Sequence, residues 1–338
     1  MEKVVYRSLG AASRKVISGP ATGLDNAVVS VGGQKVLVIT TDPVSVIPEI
    51  GPRASAWLSV HLIASDLATS GVRPEFATFD FNFPAEMTAR ARSEYLMEVG
   101  SACGDLGVSI VAGHTGSYPG AGFTIVGGGV MFGLAEMGGY VDPTMAREGD
   151  SVLMTKGAAI EAAAYLSASF PRYTERAVGR NLAAKARVLT RSCTVVRDAR
   201  IAAKAGLGPS GVTSMHDATE GGILGGLMEM AAASRKAFVL RKERILQLAE
   251  AAAVCTAFGV DQLRALSEGT LLITCRPDKV KVLTGLLQGG HIRSAVIGTV
   301  RNGSGVWIAG GEHTLKKVRP AVDSYWKAYS RASREGLQ

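Results

Sequence analysis

Two hydrophobic periods alternate along this chain, and their order predicts a layered fold. Val36–Thr41 is a dense run of β-branched and aliphatic residues closed by Asp42, the pattern of a buried strand. Ala54–Ser70 reads as an apolar helix, stopped by Gly71 with Pro74 beyond it. Across Glu86–Leu106 the residues Met87, Ala91, Tyr95, Val99, Cys103 and Leu106 recur at helical spacing, and Gly107 supplies the cap. Phe76–Phe81, Val108–Ala112 and Phe123–Leu134 read as strands, the last two flanking a glycine-rich turn, GHTGSYPGAG. The resulting β–α–β–α–β–β order predicts an α/β (α+β) layer with its helices on one side.

The polar, turn-forming stretch DPTMAREGD marks a boundary, dividing the chain into two domains, 1–147 and 148–338. Beyond it come a strand at Ser151–Thr155, a Lys156-Gly157 turn, an alanine-rich helix and a basic helical region. A short strand near Val212–Met215 leads through MHDATEGG into a helix from Ile223 to about Ala233. Helices at Ile245–Ala257 and Lys279–Leu287 follow, with strands at Thr270–Cys275, Ala295–Val300 and Val306–Ala309.

Composition narrows the class. With 338 residues, 47% hydrophobic and 20% charged, the chain has an ample core and too much length for a single typical one. No apolar stretch reaches the roughly 18–20 residues of a membrane span, and the N-terminus lacks the apolar core of a signal peptide, so a cytoplasmic protein is expected. The four cysteines form no CxxC pair, which argues for free thiols over a zinc site or disulfide framework. Of the net charge of +8, most falls between Pro171 and Gly206, where nine basic residues face only Glu175 and Asp198. A solvated helix face accounts for that segment, and no RNP, helix-turn-helix or zinc-finger pattern supports nucleic-acid binding.

The candidate chemistry lies in four aspartates. Asp25, followed by Asn26, comes after flexible glycines in GPATGLDNAVV. Asp42, after Thr41, stands at a strand's carboxyl end, where ligands bind in α/β layers. Asp66 lies near a helix C-terminus, opposing the macrodipole at a cost of about 0.3–1 kcal/mol. Asp217 leads MHDATEGG. Each has a plainer reading: Asp-Asn is an ordinary turn signal, Asp42 fits a solvent-facing loop, and Asp217 with Glu220 has the spacing of a capping box. A capping box leaves the adjacent His-Asp pair and Gly221-Gly222 unexplained, and a helix N-terminus behind those glycines suits an anion. If the aspartates converge, they form a hard-cation site able to hold Mg2+ on a nucleotide. Gly113, His114 and Thr115, in the expected strand-to-loop turn, suit a phosphate contact or equally a tight hairpin. His61, five residues from Asp66, reads as a core-edge histidine. There is no Walker A, dinucleotide GxGxxG or GxSxG pattern in suitable context, so any nucleotide site is of another kind.

In order, GPATGLDNAVV, VLVITTD, LIASDLATSGVRP, VAGHTGSYPG, REGDSVLMTKG and HDATEGGILGGLMEMA resemble the motifs of the aminoimidazole ribonucleotide (AIR) synthetase superfamily, over about Gly19 to Gly303. SDLATSGVRP, HDATEGGILGGLMEMA and SEGTLLITC are most similar to its hydrogenase-maturation branch, which dehydrates a thiocarboxamide. That branch carries its acceptor on a C-terminal cysteine, whereas the last cysteine here is Cys275. The resemblance implies a homodimer whose N-terminal mixed sheets pair into a shared barrel, each protomer adding a C-terminal α/β domain. It implies ATP and Mg2+ as cofactors and phosphorylation of a small acceptor. Asp25, Asp42, Asp66 and Asp217 match the acidic positions that hold Mg2+ and phosphates. Gly113, His114 and Thr115 match the glycine-rich turn, Glu220 and Gly221 the end of the HD-x-T-x-GG motif, and Lys156 is a candidate for the γ-phosphate. On this resemblance Asp42, Asp66, His114 and Asp217 are the expected catalytic residues. Similarity at the first motif and at TTD leaves open a thiamine monophosphate kinase-like enzyme, although that enzyme carries paired aspartates where this chain has Asp25-Asn26; the same Asn26 leaves open a non-catalytic nucleotide-binding dimer.

Overall fold

A computed structural model describes residues 2–310 and 314–337. In the first half, strands β1 (Val16–Ser18), β2 (Ala27–Gly32), β3 (Lys35–Ser45), β4 (Phe76–Pro84), β5 (Ser109–Tyr118) and β6 (Ile125–Glu136) form one sheet, ordered β1-β2-β3-β6-β4-β5. Within a single chain this sheet is open. Its one parallel pair, β4 with β5, needs a crossover, which the Ala89–Leu106 helix supplies. That helix starts later than Glu86 because the Thr88 side chain accepts the Ala91 N–H and caps it there.

The expected turn after Ala112 is strand instead. Residues Gly113 to Tyr118 continue β5, paired one for one with Phe79 to Pro84 of β4. A Cβ on Gly113 would stand 2.7 Å from the Phe79 carbonyl oxygen, so a close strand approach explains this glycine.

The second half builds a seven-stranded sheet from β7 (Ser151–Thr155), β8 (Val212–Asp217), β9 (Ala237–Arg241), β10 (Leu271–Cys275), β11 (Ser294–Arg301), β12 (Gly305–Gly310) and β13 (Thr314–Lys317). Their order is β13-β12-β9-β11-β7-β10-β8, and only β12 and β9 are parallel. Every residue of β8 and β10 is buried, so both faces of that edge of the sheet are covered.

The Gly51–Ala68 helix joins the halves. Val60, Ile63, Ala64 and Leu67 pack into the core of the first sheet. On other faces of the same helix, Leu58 packs with the alanines of the Ile160–Ser169 helix, and Ala68 with Val195, Ala199 and Leu271. A helix apolar all round is a buried helix, and this one is wedged between two layers. All four cysteines are free and buried. No described helix is long and apolar enough to cross a membrane.

Candidate nucleotide and metal site

The loop before β2 is clamped from two sides. Asn26 is buried, and its Nδ2 donates to the Asp66 carbonyl oxygen at 3.1 Å and lies 3.3 Å from Thr69 Oγ1. Thr40, on β3, donates through Oγ1 to the Asp25 carbonyl oxygen at 2.6 Å, with Asp66 Oδ2 at 3.3 Å. Gly23 (φ +80°) lets the same loop press onto the Gly222–Ser234 helix, since a Cβ there would lie 2.6 Å from the Glu229 carbonyl oxygen. Side-chain hydrogen bonds within the first half and the Gly23–Glu229 approach across the halves thus hold Asp25 beside Asp217, the last residue of β8.

The cluster that results is strongly acidic and poorly neutralised. Asp217 is fully buried, and no N–H or hydroxyl donates to either of its carboxylate oxygens, which face the neighbouring Glu268 carboxyl; Asp25 Oδ2 is likewise buried without a hydrogen bond, with His216 Nδ1 close by. Burial, and then the charge of Asp217, pushes the Asp42 carboxyl up to about 7. Burial followed by Asp25 pushes Asp217 up to about 6. Asp66 is held well above the usual carboxylate range by burial and by Asp217, Asp25, Asp42 and Glu268 together. Burial also raises Asp25, although His216 opposes it. Desolvated, mutually repelling oxygens with free lone pairs are the donor set a hard cation satisfies. Ligand atoms of Asp25, His216 and Asp217 all lie within 4.8 Å of one another.

Among the described residues, His216 is the one basic group in contact with these carboxylates. Its Nδ1 donates to the Asp217 carbonyl oxygen at 2.6 Å and sits 3.3 Å from Asp25 Oδ2; its Nε2 is 3.4 Å from Glu229 Oε2. Burial pulls this imidazole down, but the carboxylates of Asp25, Glu229 and Asp217 outweigh it and hold the ring above its usual value. Behind Asp217 stand two further buried acids. Glu268 is held well above the carboxylate range by burial and Asp217, and its N–H donates to Glu161 Oε2 at 3.2 Å. Burial raises Glu161 to about 7. A cavity of about 720 Å3 opens beside the cluster, between Thr22, Glu229, Gly221 and the Pro320–Asp323 segment.

The structure gathers the four sequence-marked aspartates and Asn26 at one place and sets other candidates apart. Thr41 Oγ1 donates to the Gly129 carbonyl oxygen across the sheet. Gly113, His114 and Thr115 lie on the exposed edge strand β5, with His114 Nε2 2.8 Å from the Tyr118 hydroxyl. Three strand spacings, roughly 14 Å, separate β5 from β3 and Asp42. Lys156 is not aimed at a phosphate: its Nζ donates to the carbonyl oxygens of Thr194 and Gly269, both at 2.6 Å, and pairs with buried Asp198 at 3.1 Å. No capping box forms, because Asp217 ends a strand and the helix begins at Gly222. Asp323 Oδ2 accepts the Gly221 N–H at 2.8 Å, and Glu220 Oε1 accepts from Trp326 Nε1 at 3.1 Å, so a C-terminal segment covers that helix end. Sequence reasoning missed His216, Glu229, Glu161 and Glu268 as site residues, although the His-Asp pair and SEGTLLITC contain two of them.

Two family models match in order: the AIR synthase related protein N-terminal domain over residues 23–135 and its C-terminal domain over 147–308. The carbamoyl dehydratase HypE of Rhizobium leguminosarum bv. viciae is 26% identical over 286 residues, covering 82% of this chain and 77% of that protein. That of Cupriavidus necator is 25% identical over 273 residues, covering 79% and 73%. Among solved structures, HypE in a HypE–HypF complex aligns with a TM-score of 0.75 at 20% identity, over 95% of this chain and 99% of that one. AaThiL complexed with AMPPCP and TMP aligns at 0.73 and 19% identity, over 95% and 94%. HypE in complex with ATP aligns at 0.68 and 21% identity, over 94% and 91%. With both halves matched in sequence and the whole architecture matched in space, the chain belongs to the AIR synthase related protein family.

Proposed function

We propose that this protein binds ATP with Mg2+ at the aspartate cluster and uses it to phosphorylate an oxygen or comparable nucleophile of a small acceptor. The observation that carries the reading is convergence. Asp25, Asp42, Asp66 and Asp217 come from four separate segments, and Asp25 Oδ2 and both carboxylate oxygens of Asp217 are buried with no N–H or hydroxyl donating to them. Such an arrangement destabilises the empty fold and gains from a cation. Asp25, Asp42, Asp66 and Asp217 would hold the metal, which would supply positive charge to offset that of the phosphate oxygens. The protein's share is positioning. Asn26 and Thr40 fix the Asp25 loop, and the neighbouring cavity of about 720 Å3 has room for a nucleotide. HypE structures with ATP and ThiL with AMPPCP support the same cofactor for this fold. A kinase acting on thiamine monophosphate differs from a HypE-like dehydratase in its acceptor and in leaving the phosphoryl group on the product instead of releasing it as phosphate, and the ThiL likeness favours keeping it as the second reading. A non-catalytic nucleotide-binding dimer is the third, favoured by Asn26, whose amide is bound to the protein itself.

A homodimer completes the proposal. Ile110 and Val111 on β5, with Phe123, Ile125 and Leu134 at β6, leave an apolar sheet surface uncovered. In that dimer Gly113, His114 and Thr115 reach a nucleotide only across the interface. ADP release with and without Mg2+, measured for wild type and Asp42→Asn against small alcohol and carboxamide acceptors, tests the reading. Mg2+-dependent turnover lost in the variant supports it, and tight nucleotide binding with no turnover on any acceptor favours the non-catalytic dimer.

A further inference from the structure

A second cavity, of about 230 Å3, lies on the other side of the Gly51–Ala68 helix from the acidic cluster. Ala68 lines it, and at 100° per residue Ala68 is about 200° around the helix from Asp66. Its walls are apolar, formed by Ala68, Val72, Leu106 and Val196, and three exposed arginines, Arg73, Arg197 and Arg200, line it from two segments. None of the three forms an ion pair among the described residues, and the one carboxylate in the lining, Asp105, pairs with none of them. His61 and Thr194 add a polar end, joined Nδ1 to Oγ1 at 3.0 Å, with the Trp57 ring stacked on His61 at 3.9 Å. Burial, then the nearby Arg191, holds His61 down at about 4, so it enters as a neutral hydrogen-bonding group and not as a fourth charge.

Unpaired arginines over apolar walls recognise an anion with an apolar body. An apolar cavity of about 150 Å3 accommodates benzene, so this one has space for a single ring and one anionic group. A groove for nucleic acid would instead be long and open. We propose that this cavity is a second small-molecule site, separate from the nucleotide site, for a compact single-ring anion of the aryl or heterocyclic phosphate or carboxylate class. Such a ligand touches both halves at once, through Arg73 and Val72 on one side and Thr194 to Arg200 on the other.

The test is titration with phenyl phosphate and with benzoate at low ionic strength, by calorimetry and by Trp57 fluorescence. Saturable one-to-one binding of either probe is expected, with Trp57 emission changing in step. The better probe identifies the anion, phosphate ester or carboxylate. Losing one charge-assisted contact weakens binding by roughly tenfold or more, so Arg197→Gln and Arg73→Gln should each do so. They stand on different elements, and a folding defect in one leaves the other as the test. Saturating Mg-ATP should leave the affinity unchanged. No saturation up to about 10 mM, a weak limit for any specific site, overturns the proposal; so does wild-type affinity in both variants, or displacement by Mg-ATP.

Discussion

Replacing Asp217 by asparagine should make the metal-free protein more stable while removing its affinity for divalent cations. Asp217 is fully buried, no N–H or hydroxyl donates to either carboxylate oxygen, and its carboxyl stands at about 6 against an ordinary 3.8. A carboxyl raised in the folded state is less stable when ionised there than in the unfolded chain. The penalty is absent below about pH 4, grows as pH rises from 3.8 towards 6, and is complete above about 6. At 1.36 kcal/mol per pKa unit it reaches roughly 3 kcal/mol at pH 8, and about half of that at pH 5. Asparagine keeps the shape and removes the charge. Thermal unfolding without divalent ions should therefore show Asp217→Asn melting above wild type at pH 8, by about 5–10 °C for a domain of this size. The gap should narrow at pH 5. Adding Mg2+ should raise the wild-type melting temperature and leave the variant's unchanged. A variant less stable than wild type at pH 8 without divalent ions would refute the reasoning, because the carboxylate would then be a net structural partner.

Lys156→Met should destabilise the second half by about 3–5 kcal/mol, because it leaves Asp198, 3% exposed in its side chain, charged and unpaired; urea unfolding at pH 7 measures it. Ile125→Glu, on the uncovered apolar sheet surface, should convert a dimer to a folded monomer, read by light scattering alongside far-ultraviolet circular dichroism. His114→Ala should leave divalent-cation affinity within about twofold, since roughly 14 Å of sheet lies between β5 and Asp42; isothermal titration decides.

Much of the first half is legible in the sequence because its signals are local. The β-branched run of β3 and the helical stripe of Ala89–Leu106 specify their own elements, and Asp66 is conspicuous as an acid where the helix dipole disfavours it. What resists reading is whatever tertiary pairing overrides. GHTGSY looks like a turn from its glycines, yet the ladder with Phe79–Pro84 makes it strand, and the glycine at 113 serves a close backbone approach. Lys156 looks like a free cation in a Lys-Gly turn, but three groups from two segments converge on its ammonium. β9 and the Ser324–Arg334 helix carry no strong boundary signals, and so the cover that Asp323 places over Gly221 is invisible in the sequence. The aspartates announce themselves singly. Their convergence with His216, Glu229 and Glu268 depends on how the two halves dock, which no spacing along the chain encodes.

The most direct test of the central claim is Mn2+ binding, followed by loss of the free-ion electron paramagnetic resonance signal, with and without a non-hydrolysable ATP analogue. The account predicts Mn2+ binding in the wild type that strengthens with the analogue and is lost in Asp25→Asn and in Asp217→Asn. Wild-type Mn2+ affinity retained in both folded variants would contradict it, and the aspartate cluster would then not be the place where this protein holds a nucleotide's metal.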